Sequence, residues 1–85
     1  MARKWFRCEV KKTGPAANEN NTIYIALSDV EGKFDNQWFF ADTKSAKEML
    51  ATSLAAMSTG YQVDADLEDP PNECTAIERL YLVKP

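Results

Sequence analysis

The chain contains no histidine, and that absence removes more chemistry than any single residue adds. Histidine is the commonest general base near neutral pH and the commonest zinc ligand. Without it, the two cysteines, Cys8 and Cys74, cannot complete a four-ligand zinc site, and neither has an imidazole to activate it as a nucleophile. No apolar run approaches the roughly 20 residues that a membrane-crossing helix needs. Cations are also short: 10 Lys and Arg stand against 13 Asp and Glu, for a net charge of −3 and a pI near 4.8. Nucleic-acid affinity comes largely from clustered Lys and Arg, so a nucleic-acid partner is disfavoured. Met1-Ala2-Arg3-Lys4 leads straight into strand-like sequence with no apolar signal core. The expectation is a cytoplasmic protein, or a secreted or periplasmic one if a leader has been removed.

The 85 residues fit one domain, and 45 % hydrophobic with 27 % charged residues is ordinary for a folded one. A chain this short buries only about 60–65 % of the surface its unfolded form exposes, so a disulfide or a partner subunit would help it.

Residues 4–12, KWFRCEVKK, alternate, with Phe6, Cys8 and Val10 on one face, and predict a half-buried strand. Residues 13–21, TGPAANENN, read as a polar loop. Residues 22–28 give a second strand with Ile23, Ile25 and Leu27 inward, DVEGKFDN turns around Gly32, and residues 37–41, QWFFA, form a third. Asp42 or Thr43 can cap a helix running to about Thr59, with Ala46, Met49, Leu50, Ser53, Leu54 and Met57 inward and Gly60 as its C-terminal cap. Tyr61, Val63, Ala65 and Leu67 alternate with polar residues as a fourth strand. The loop EDPPNE is stiffened by proline, and CTAIERLYLV is the fifth strand. The order is β-β-β-α-β-β.

That order resembles the OB-fold, a five-stranded Greek-key barrel with a helix between strands three and four. The expected class is therefore α+β, a small OB-like β-barrel over residues 1–85. Within that architecture the chain resembles the B subunits of bacterial AB5 enterotoxins. The run from AKEMLATSLAAMSTGYQV to C-x-x-I-x-R-L-Y-L also looks like small bacterial proteins, some of them carried on mobile gene cassettes. The toxin resemblance implies a bridge between Cys8 and Cys74 and a helix that packs against other subunits. The chain lacks the toxin subunits' extra N-terminal helix and any ganglioside-site pattern, so their ligand is not carried over.

Ala51, Thr52, Ala55 and Ser58 lie opposite the inward stripe of the helix, with Thr59 beside them. Small uncharged side chains let another backbone approach, which fits a homo-oligomer; alanine is also simply the best helix former. Cys8 and Cys74 are a bridge or two free thiols. Trp5, Trp38, Tyr24 and Tyr61 are candidates to face a ligand or an interface, because exposed aromatics on such a sheet stack on rings; packing is the alternative. Asp29, Glu31 and Asp35 surround Gly32, and Asp64, Asp66, Glu68, Asp69 and Glu73 cluster later, without EF-hand spacing. Solvated surface is the expectation, with no metal, no cofactor and no enzyme activity. The leading expectation is a non-enzymatic binding or assembly module for a sugar, small molecule or protein. The alternative is a monomeric acidic regulator that binds a basic partner or mimics nucleic acid.

Overall fold

The first strand decides the shape of the molecule, because it belongs to both halves of the sheet. The computed structural model describes residues 2–85 and places β1 at Arg3–Ala16. β1 pairs with β4 (Gln62–Glu68) over Arg3–Cys8 and with β2 (Thr22–Asp29) over Cys8–Ala16. Beyond Cys8 it is therefore an edge on one side, where Gly14 and Pro15 can continue a strand. That is why β1 outruns its expected end at residue 12. A bulge between Val10 and Lys12 inserts one residue against β2. The alternation flips there: Phe6 and Cys8 point into the core before it, and Thr13 points to the helix after it.

β2 continues into β3 (Gln37–Ala41), and the sheet order is β5-β3-β2-β1-β4-β6, with β5 at Ala76–Ile77 and β6 at Arg79–Val83. The single fifth strand expected from the sequence is thus two. β5 runs parallel to β3, β6 runs antiparallel to β4, and only Glu78 separates them. One stretch of chain serves both edges of the sheet, so it must break where it changes partner. Arg3 holds that junction by donating to the carbonyls of Asp66 (2.6 Å) and Ala76 (3.1 Å). The result is a small α+β domain, a curled six-stranded mixed sheet with one helix.

The core is Phe39, Ile25, Leu27, Leu67, Ile77 and Val63, all fully buried, each worth about 1.5–3 kcal/mol of burial. Phe34, from the turn around Gly32, joins it edge-on to Phe6 (5.8 Å) and Phe39 (5.3 Å).

The helix α1 (Ala46–Thr59) follows a short turn whose Asp42 carboxylate accepts the Lys44 N–H at 2.9 Å. It ends at Gly60, left-handed at φ +77°, whose N–H reaches the Ala56 carbonyl at 2.9 Å. The buried side is Met49, Ser53 and Ala56, flanked by Ala46 and Leu50. Leu54 and Met57, expected inward, are exposed. Small Ala56 faces the sheet in their place beside Ser53, expected inward, whose Oγ meets Thr13 Oγ1 at 3.2 Å and the Leu50 carbonyl at 2.9 Å. No helix among the described residues is long and apolar enough to cross a membrane.

Candidate functional site

Tyr24 and Trp38 stand on the outer face of β2 and β3. Their rings lie 6.2 Å apart at 84°, near perpendicular. They line a cleft of about 500 Å³ with Thr13 and Pro15 from β1, Glu19 from the following turn, and Cys74 from the loop before β5. Three pieces of local chemistry build it. Asn20 and Asn21 both take left-handed backbone (φ 59° and 58°), which asparagine tolerates better than most residues, and so turn the chain back toward β2. The Thr22 hydroxyl donates to the Glu19 carbonyl at 2.6 Å, fixing that turn. The Cys74 N–H donates to the Trp38 carbonyl at 2.8 Å, which holds the loop against β3.

The Tyr24 hydroxyl donates to the Glu19 carboxylate, and that hydrogen bond raises the phenol pKa above its ordinary value. Glu19 is the one charged side chain in the lining among the described residues. Lys12 lies outside the lining, and its ammonium stands 4.9 Å from the Trp38 ring centre. The bulge in β1 puts it there, in register with Ala26, which in turn pairs with Trp38.

Trp5 is elsewhere. It faces outward from β1, beside Tyr81 (5.4 Å, 32°) and under the Arg79 guanidinium (5.4 Å). Asp66, buried on this face, accepts from Arg3 at 3.1 Å and Arg79 at 3.0 Å, and Asp64 pairs with Arg7 at 2.5 Å. Tyr61 is half-buried just past the helix cap and joins neither group. Of the four aromatic candidates, the fold brings together Tyr24 and Trp38 only. Sequence reading passed over Glu19 and Lys12. TGPAANENN carries loop composition, and nothing in it signals that Glu19 returns to Tyr24.

The two thiols are free. Cys8 is buried between β2 and β4, opposite Asp29 and Val63, and burial pushes its thiol up to about 12. Cys74 is exposed, its N–H bonded to the Trp38 carbonyl on β3, and β2 lies between β3 and the strand of Cys8.

On α1, Ala51 and Ser58 are exposed, and Thr52 and Ala55 are half-buried. The hydroxyls turn back to their own helix: Thr52 to the Glu48 carbonyl (3.0 Å), Ser58 and Thr59 to that of Ala55 (3.2 and 2.7 Å). Two acids around Gly32 are also engaged. Asp29 accepts the backbone N–H groups of Glu31 and Lys33, and Asp35 accepts the Ser28 hydroxyl. No cluster of three metal-ligating side chains occurs among the described residues. No protein-family model, no curated protein and no solved structure matches the chain.

Proposed function

We infer that the protein is a non-enzymatic binding and assembly module on an OB-like barrel. Taken as one interrupted strand, β5 and β6 join the two edges of the sheet, which supports a five-stranded barrel with its helix between the third and fourth strands. The observation that carries the reading is the Tyr24–Trp38 cleft, an aromatic corner framed by a turn and a loop. Pockets of this size with convergent polar groups are the usual ligand sites of small domains. The ligand class is a sugar, a small organic molecule or a protein side chain.

Assembly into a homo-oligomer draws on the outer side of α1. Its hydroxyls are spent on its own backbone, and Leu54 and Met57 stand exposed beside small residues. The acidic-regulator reading draws less support, because Asp64 and Asp66 are neutralised by arginines of neighbouring strands.

Two measurements test this. Saccharides and small organic molecules, titrated against nitrogen-labelled protein, should shift the Trp38 indole resonance; a panel that leaves it unmoved contradicts the binding reading. Light scattering should give a multiple of the 9.6 kDa chain mass, reduced to one chain by Ala55→Glu. A monomer contradicts the assembly reading.

A further inference from the structure

We propose that the cleft selects an organic ammonium, a methylated or alkylated cation held between Tyr24, Trp38 and Glu19. The inference rests on the reading of the cleft as a ligand site and names its chemistry.

Three observations carry it. The two rings meet edge to face at 84°, so the aromatic wall of the cleft is a bent corner rather than a flat stacking platform. The lining holds one formal charge among the described residues, and it is negative. Glu19 spends one carboxylate oxygen on the Tyr24 hydroxyl and has the other to offer. The molecule also carries its own example of the contact: the Lys12 ammonium stands 4.9 Å from the Trp38 ring centre, within cation–π range, although it lies outside the cleft. The ring attracts a cation where the fold offers one, and the same ring lines the cleft together with a carboxylate.

A neutral sugar finds less here. Stacking would be satisfied, but the lining gives its hydroxyls few free partners. The Thr13 hydroxyl already donates to the Tyr24 carbonyl at 3.1 Å, and the Tyr24 hydroxyl is taken by Glu19. An anion meets the Glu19 carboxylate at close quarters.

The test compares charge at constant shape. Choline chloride, a short peptide containing trimethyl-lysine, and the uncharged tert-butyl isostere of choline are titrated against the full chain at matched ionic strength, following the Trp38 indole resonance. The cations should bind at least about tenfold more tightly than the isostere. Glu19→Gln keeps an acceptor for Tyr24 but removes the charge, and should weaken cation binding about threefold or more while leaving the isostere unchanged. Tighter binding of the peptide or of free choline identifies the source of the ammonium. Equal binding of cation and isostere overturns the inference and leaves the cleft as a ligand site. A Trp38 indole that moves with sugars but not with cations does the same. If nothing moves it, the cleft reading falls as well.

Discussion

The molecule contains two tryptophan–tyrosine pairs, each with a cation over its tryptophan, and the Trp38–Tyr24 pair lines a cleft with both of its rings. Trp5 and Tyr81 lie at 32° under Arg79; Trp38 and Tyr24 stand at 84° beside Lys12. The difference is in what surrounds them. On the Trp5 face the carboxylates belong to neighbouring strands, and arginines saturate them: Asp66 by Arg3 and Arg79, Asp64 by Arg7. Strand register brings these groups together, and they fill the face. On the Trp38 face the carboxylate arrives on a turn, its partner is a phenol, and the loop carrying Cys74 leaves space open. The same residue types give a stitched sheet in one place and an open corner in the other.

Removing Asp66 should have the largest effect on the stitched face. Asp66→Ala leaves two guanidiniums without their shared acceptor and should cost about 2 kcal/mol in urea unfolding, moderated because both arginines reach solvent. Ligand titrations at Trp38 should be unchanged in that variant. On the open face, Trp38→Leu should weaken binding about tenfold or more, followed on the Tyr24 ring resonances, while Trp5→Leu leaves it intact.

The pH responses also separate the two regions. Cys8, in the core beneath both faces, has a folded pKa of about 12, raised by burial. Above about pH 9 the unfolded chain loses that proton and the folded chain keeps it, so stability should fall with rising pH by up to about 1.4 kcal/mol per unit, until the folded thiol ionises too. Cys8→Ala should flatten this slope in urea titrations at fixed pH. Tyr24 is raised because its hydroxyl donates a hydrogen bond to Glu19; the bond contributes below the ordinary tyrosine pKa and is lost as pH rises through the raised one. Ultraviolet titration should show one phenol moving down in Glu19→Gln. The smallest effect concerns Cys74, whose φ of 60° strains a residue with a Cβ. Cys74→Gly should stabilise the fold by about 0.5–1 kcal/mol and leave no thiol that reacts quickly in the native state.

Strand alternation was legible wherever a strand stays in one environment, as at Phe6, Cys8, Ile23, Ile25 and Leu27. It failed where the partner changes. The bulge at Lys11 and the break at Glu78 answer to pairing on β2, β3 and β4, which no local pattern encodes. The helix period and most of its inward stripe were right, with Ala46, Met49, Leu50 and Ser53 turned to the core; Leu54 and Met57 looked inward by hydrophobicity, but close approach to the sheet selects the small Ala56 instead. Tyr24 and Trp38 were recognisable as outward aromatics. Their partner Glu19 was not, because two left-handed asparagines decide its direction and their effect is on the backbone.

The most direct test of the contrast between the two pairs is an intermolecular nuclear Overhauser experiment with choline. Cross-peaks from its methyl groups to the Trp38 and Tyr24 rings, and none to Trp5 and Tyr81, are the predicted result. Cross-peaks to Trp5 and Tyr81 instead would contradict it, because the saturated face would then be the one that binds.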